Sequence, residues 1–596
     1  MDQNIRESQF LWSLIKYKPI LYTVIILMEF VIGSIPIIEG ILIKEFFDVI
    51  GGKSTSIFGI YELIGLMGIV ACFHIFIMWV YFNKTATHGF YINTLLKRNM
   101  LSSILKKHGG KAIKTPVGEV LNSFRDDVSQ IGTCISWLPT IIGQMIRALG
   151  SIVILFLIDD KITVFVFIPL VIVILLAQKS EKNIEKNREE GRKATGTVNA
   201  AIGEIFESIL LIKSSGAKKD IMLNLDELNQ RRHKAMIKDS MLTQLIDSIY
   251  NNVSNIGTGV ILLLCANSIS TGQFTVGDFS IFVYYLVFIT DSIESLGNFI
   301  VYFKQTKVGY RNILTQVNIR KEPEILVKHK EIFLKNDQEH FSNVKDEQRQ
   351  MTRYDEDLEK DLKVLEVKGL TYQYSGLESG IKNINFTLKK GEILVICGRT
   401  GSGKSTLIKS LIGLLPMDSG EVYWNGEQVN DVKHFFSPPI SAYSAQVPNL
   451  FSDTVKNNIL LGVREEEVDL ETAIKSAVLE KDIAKLENGL DTMIGSKGTK
   501  LSGGQIQRVA AARMFVRNPQ LLVFDDISSA LDIKTETLLW TRLIANNKAS
   551  CVIVSNRRMI LEKADQIIVL KDGIIEAQGI LDEVLHTSSE IKYIID

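Results

Sequence analysis

The chain has 596 residues, 46% of them hydrophobic, and a mean hydropathy of +0.16, which is long enough for several domains and more apolar than a soluble protein needs. Its 67 basic and 67 acidic residues cancel, so no overall positive field points to nucleic acid as a partner. Cys72, Cys134, Cys265, Cys397 and Cys551 are scattered singly; that excludes a zinc pattern or a disulfide framework and suits small buried hydrophobes.

The apolar excess falls before residue 305. A polar start, 1–18, ends in Lys16 and Lys18, and an apolar segment then runs from Pro19 to about Ile43. It is too long for a signal-peptide core and has no small-residue cleavage site, so it reads as a retained membrane span. Further spans are predicted near 58–82, 135–158, 161–178, 244–267 and 275–300, which makes six. Each supplies ~20 apolar residues, enough to cross a ~30 Å hydrocarbon core. Connections are short after the first, third and fifth spans and long after the second and fourth. The long ones carry the cations, including Lys97, Arg98, Lys106 and Lys107 in one and Lys179, Lys182, Lys186 and Arg188 in the other. By the positive-inside rule these connections and both termini are cytoplasmic. Helical periodicity persists through them, so the spans are expected to continue as helices beyond the membrane.

Glu29, Glu39, His74, Asp291 and Glu294 fall inside predicted spans. A charge at mid-bilayer costs ~3 kcal/mol or more, so such groups face a bundle interior or a watery cavity. Glu29, Asp291 and Glu294 are candidates for a substrate pathway that favours cations. If the span edges shift by a turn, the same groups sit at the interface instead. Residues 318–362 then turn to dense mixed charge with no apolar face, as in Asp355-Glu356-Asp357, and read as a solvated linker between a membrane domain, 1–317, and a soluble one, 363–596.

In the soluble part Leu365–Tyr374 alternates as a strand, and Tyr374 is placed to stack on an adenine, whereas Tyr372 reads as an ordinary strand aromatic. The apolar run Ile393–Cys397 leads into Gly398-Arg399-Thr400-Gly401-Ser402-Gly403-Lys404-Ser405-Thr406 and a helix from Lys404. This strand, glycine-rich loop and helix match G-x-x-x-x-G-K-[ST]. The loop cradles a phosphate chain, Lys404 reaches the β- and γ-phosphates, and the Ser405 hydroxyl sits on Mg²⁺. Gln446 is a loop glutamine able to contact Mg²⁺ and the attacking water. Leu501-Ser502-Gly503-Gly504-Gln505 opens a helix over Ile506–Val516, a second anion-binding helix start. The strand Leu521–Asp525 ends in paired carboxylates, Asp525 for the Mg²⁺ shell and Asp526 as general base for water. The last strand, Cys551–Val554, ends at Ser555-Asn556-Arg557.

Taken together, these motifs resemble the ATP-binding cassette (ABC) transporters, specifically exporter-type half-transporters. In the cassette, 398–405 resembles the Walker A loop, Gln446 the Q-loop, 501–505 the signature, Leu521–Asp525 the Walker B strand and 529–532 the D-loop. In the membrane half, Gly118-Glu119 before Asp126-Asp127, Glu204–Glu207 and Thr275–Phe279 resemble recurring exporter segments. The resemblance implies an all-α six-helix transmembrane domain followed by an α/β P-loop NTPase domain. It implies ATP and Mg²⁺ as cofactors, a second half-transporter as partner, and export of a drug, peptide or lipid from a bacterial plasma membrane. With ~18 residues before the first span, no N-terminal peptidase domain is expected. Three positions depart from the family's pattern: Asp526 stands where Glu is usual, Asn556 replaces the switch His, and Ser496 replaces a Glu before the signature. With the signature intact, the pattern resembles the weakened-site half of heterodimeric exporters, with Asp526, Asn556 and Gln446 at its own catalytic positions and 501–505 serving its partner's ATP. A homodimer with two slow sites, or an ATP-binding regulatory or channel subunit, are the alternatives.

Overall fold

The computed structural model describes residues 7–53, 57–107, 109, 117–270, 274–319, 322–329, 361–374, 376, 379–495, 498–528, 530–546 and 549–595. They fall into two compact units, divided at 103/104, 114/115 and 334/335.

The first unit is helical. Its long helices are α1 (Pro19–Ile50), α2 (Ile60–Leu105), α3 (Val128–Ile158), α4 (Asp160–Glu207), α5 (Lys218–Ser270) and α6 (Val276–Gln316). Among the described residues α1, α2, the segment ending in α3, and α6 are long and apolar enough to cross a membrane. The apolar residues expected to span in α4 and α5 lie partly outside the described side chains. At 46, 48 and 53 residues, α2, α4 and α5 far exceed a bilayer's thickness, as the periodicity requires.

Small residues set the packing of α1 on α3 and α6. Gly33 lies so close to Gly143 that a Cβ would overlap its carbonyl, and Gly40 leaves room for the Tyr285 ring. Tyr22 Oη donates to the Ile135 carbonyl at 3.0 Å, and Tyr285 Oη to that of Ile37 at 2.5 Å. Asp159 caps α4, accepting from Ile162 N, and Thr275 with Asp278 forms a capping box on α6. The π-helical turn Ser123–Asp127 before α3 carries the Asp126-Asp127 pair.

The expected linker differs at its start. Ile319 and Leu326 are buried, and Asn99 Nδ2 donates to the carbonyls of Leu326 and Lys328. Its charged middle, 330–360, lies outside the described residues.

In the second unit a four-stranded antiparallel sheet has the order β2-β1-β4-β5, with β1 Val364–Gln373, β2 Gly380–Lys389, β4 Ser419–Trp424 and β5 Glu427–Gln428. A six-stranded sheet has the order β10-β9-β3-β8-β7-β6, with β3 Ile393–Cys397, β6 Ser441–Ser444, β7 Leu521–Asp525, β8 Ser550–Val554, β9 Gln566–Lys571 and β10 Ile574–Gly579. All but β10 run parallel. Such strands are covered on both faces, which is why β7 and β8 are buried at every residue. Alternate residues of β3 enter different cores, Val395 and Cys397 one and Leu394 and Ile396 the other.

Cys551–Val554 is not the last strand, as the sequence reading has it. β9 and β10 follow as a hairpin turned by Asp572 and Gly573, both at positive φ, the Asp-Gly signature of a tight hairpin.

Candidate functional site

The P-loop strand β3 ends at Cys397, in the middle of its sheet, and the chain turns sharply into helix α7, Lys404–Leu411. Gly403 caps that helix at φ +102°, a left-handed conformation that only glycine adopts cheaply. No side chain caps the helix, so its first N–H groups point into the adjoining cleft with its positive end. The cleft is about 600 Å³ and is lined by Tyr374, Thr400, Gly401, Gly403–Thr406, Gln446, Asp525, Asp526 and 554–557.

Lys404 Nζ donates to the carbonyls of Gly398 at 2.6 Å and Arg399 at 2.7 Å. Burial pushes its pKa down, an unfavourable state for a cation that an anionic ligand relieves. Ser405 Oγ donates to Asp525 Oδ1 at 2.8 Å, and Tyr443 Oη to Asp525 Oδ2 at 3.4 Å. Gln446 Nε2 donates to Asp526 Oδ2 at 3.4 Å. A hydroxyl, a carboxylate and a carboxamide oxygen are hard donors of the kind Mg²⁺ takes beside phosphates, so Ser405, Asp525 and Gln446 fit that ion. Among the described residues no group of three or more His, Cys, Asp or Glu is placed to hold a metal ion. Asp526 stands at φ +51° just past β7, and burial raises its pKa above that of an ordinary carboxylate. Tyr374 Oη lies 3.4 Å from Thr406 Oγ1, while Tyr372 is buried in the sheet.

Asn556 is spent on the loop itself. Its Oδ1 accepts from Gly398 N at 3.2 Å and its Nδ2 donates to Gly398 O at 3.1 Å. Arg557 pairs with the buried Glu536 at 2.7 Å and donates to the Ser528 carbonyl. Arg399 pairs through Nε with the buried Glu590 at 2.6 Å. Sequence reasoning named these residues but not their partners Gly398, Glu536 and Glu590, and it missed Tyr443, because nothing local announces a tertiary partner.

The signature residues Leu501–Gln505 do not line this cleft. Helix α8 runs over Gly503–Phe515, three residues earlier at its start than expected. Ser502 is its cap: Ser502 N donates to Gln505 Oε1 at 2.8 Å and Gln505 N to Ser502 Oγ at 3.4 Å. The S-x-x-Q spacing is a capping-box signal that fixes this start. Gln505 also reaches Asp482, and Gln507 accepts from Ala530 N. Ser496 and Ser529 lie outside the described residues.

Of the membrane acids, Glu29 is 5% exposed, packed against Gly143 and hydrogen-bonded by Thr140 at 3.0 Å. Glu39 accepts from Tyr284 at 2.7 Å and lies 3.7 Å from His74. Asp291 is exposed and Glu294 half-buried on α6. The sequence reading, which looked for acids, missed Arg147 on α3, whose guanidinium lies 5.1 Å from the centre of the Phe288 ring. It also missed Lys44, which pairs with Asp48 at 2.7 Å and Asp278 at 2.9 Å. Cys397 and Cys551 are buried thiols, pushed up to about 12, and Cys134 is buried; Cys72, expected to be buried, is exposed on the apolar outer face of α2.

Comparison with known proteins agrees with this geometry. The family model "ABC transporter" matches residues 381–529 and "ABC transporter transmembrane region" matches 22–293. The chain is 28% identical over 442 residues, 72% of its length and 69% of the relative's, to a probable multidrug resistance ABC transporter ATP-binding/permease protein of Bacillus subtilis. It is 25% identical to the ATP-dependent lipid A-core flippases of Vibrio vulnificus and Escherichia coli K12, over 79% of its length and 77% of theirs. A bacterial Atm1-family ABC exporter solved with ATP bound shares the fold, with a TM-score of 0.76 at 20% identity over 96% of this chain and 97% of that one. With both halves matched in the expected order, the chain belongs to the ABC transporters, an exporter-type half-transporter in which an integral membrane domain is fused to an ATPase domain.

Proposed function

We propose that this chain is the ATP-holding half of a two-chain exporter, with a weak hydrolytic site of its own and a signature that completes its partner's site. The observation that carries the reading is the pair Asp526 and Asn556. The carboxylate sits one methylene back from where a Glu would end, and the Asn carboxamide is engaged with Gly398 rather than with the γ-phosphate position. A misplaced base costs on the order of 10²–10⁴ in rate. Binding is spared, because the loop, Lys404, Ser405 and Asp525 keep the geometry that holds nucleotide and Mg²⁺. The self-capped turn 501–505 keeps its glycines and is the surface offered to the other chain's ATP. The long helices α2, α4 and α5 carry cassette closure to the spans. The long connections and termini are cytoplasmic, and the cargo is an amphiphile of the drug or lipid kind named for the relatives.

A homodimer with two slow sites is the second reading, favoured by one contact: Asp526 is still a carboxylate held at 3.4 Å by Gln446. ATPase activity of the chain purified alone, beside an Asp526→Glu, Asn556→His double variant, separates the two. Near-inactivity rescued by the double variant supports the weakened site. Brisk turnover by the native chain refutes it in favour of the homodimer.

A further inference from the structure

Gly398 is the first residue of the phosphate loop and has no side chain to hold it in place. A Cβ there would overlap the Leu570 carbonyl and lie 2.6 Å from Ser402 Oγ, and φ is +149°. Both of its backbone polar groups are nevertheless taken by one side chain, since Asn556 accepts from its N–H and donates to its C=O. Lys404 Nζ donates to the same C=O. A carbonyl has two lone pairs, so both donors are accommodated. When Lys404 turns to a nucleotide's phosphates it must give up its loop carbonyls, and a carbonyl left unpaired there is costly. Asn556 stays on the Gly398 oxygen and removes that penalty.

We infer that Asn556 is a positioning residue of the phosphate loop. It pins Gly398 through both backbone groups, keeps the loop in its cradle form, and releases Lys404 for the triphosphate, so that nucleotide is held long. A carboxamide suits the task because it donates and accepts side by side, as a peptide group does; a neutral imidazole offers one donor and one acceptor on different edges of its ring. The residue that removes the usual switch group thus lengthens nucleotide residence. The inference rests on the nucleotide-site reading of the cleft and not on the asymmetry of the dimer.

AMP-PNP, which is not turned over, tests it on the full-length chain in nanodiscs with Mg²⁺. Asn556→Ala is expected to raise the AMP-PNP Kd about tenfold, mostly through faster dissociation, with a fall in the nucleotide-free Tm too small to account for it. Asn556→Gln, which keeps the carboxamide, is expected to recover most of the affinity. If Asn556→Ala binds as tightly as the native chain, or if its affinity loss comes with an equal fall in Tm and Asn556→Gln gives no rescue, the positioning role is wrong while the nucleotide site stands. A native chain that does not bind AMP-PNP removes both.

Discussion

Two helices in the cassette begin at glycine-rich turns, and they begin differently. Helix α7 starts at Gly403 with no capping side chain and leaves its N–H groups to a ligand, with Lys404 desolvated beside them. Helix α8 starts at Ser502 and caps itself, Ser502 and Gln505 satisfying each other's backbone. An open start has unmet donors and takes charge from whatever enters the cleft. A closed start is complete without ligand and offers a shaped surface instead. The first suits binding nucleotide within a chain, and the second suits docking onto nucleotide already held by another.

That contrast is open to direct attack. The largest effect is expected at the open start: Lys404→Ala should weaken AMP-PNP binding about a hundredfold, since hydrogen bonds to a charged partner are the strong ones, as read by equilibrium titration. Next comes the strut behind it. Arg557→Ala leaves Glu536 buried without its cation and takes one of two donors from the Ser528 carbonyl, which keeps Leu531 N. The expected loss is about 2 kcal/mol, reduced from a fully buried pair because Arg557 is partly exposed, and shows as a lower Tm. At the closed start a Cβ on Gly504 would lie 2.9 Å from the Ala530 carbonyl. Gly504→Ala should therefore cut the ATPase rate of any dimer containing the chain about tenfold while moving its AMP-PNP affinity less than about twofold. If binding falls as much as turnover, the two starts are not separate devices.

The smallest effect concerns Asp526, whose carboxylate burial holds above the ordinary range. A raised carboxylate pKa means that the charged form costs folding free energy above the folded pKa, and that the cost vanishes below the unfolded one. Asp526→Asn should accordingly raise Tm by about 2 °C at neutral pH, a gain that shrinks as the pH is lowered through the carboxylate range. A gain that persists in acid sinks the assignment.

What was legible in the sequence is what backbone chemistry writes contiguously. The phosphate loop needs its glycines, Lys404 and Ser405 at fixed spacing, so strand, loop and helix could be placed within a residue. The paired carboxylates after a buried apolar run were equally plain. The start of α8 lies three residues before the expected one, although Ser502-x-x-Gln505 spells a capping box, because two glycines in a row also suit an anion-binding turn ahead of the helix. The β9–β10 hairpin was passed over despite Asp572-Gly573. The rest was hidden for a physical reason. Asn556 on Gly398, Arg399 on Glu590 and Lys44 between Asp48 and Asp278 join residues that only the fold brings together. A lone arginine such as Arg147 looks like noise in an apolar helix until the Phe288 ring beneath it is seen.

The order of the large sheet bears on how the cassette is made. Strand β3, which carries the phosphate loop, has β8 and β9 as its only neighbours in the sheet, and Arg399 takes its partner from Glu590 in the final helix, Ser589–Ile595. On the ribosome the loop therefore emerges early and waits, its strand edges unpaired, until almost the whole chain has been translated. Closure over so long a separation is slow and exposes apolar strand to aggregation meanwhile. A cassette missing its last two dozen residues would be synthesised nearly whole and still lack Glu590, which pairs with Arg399, and the Gly573 N–H that bonds the Ser402 carbonyl.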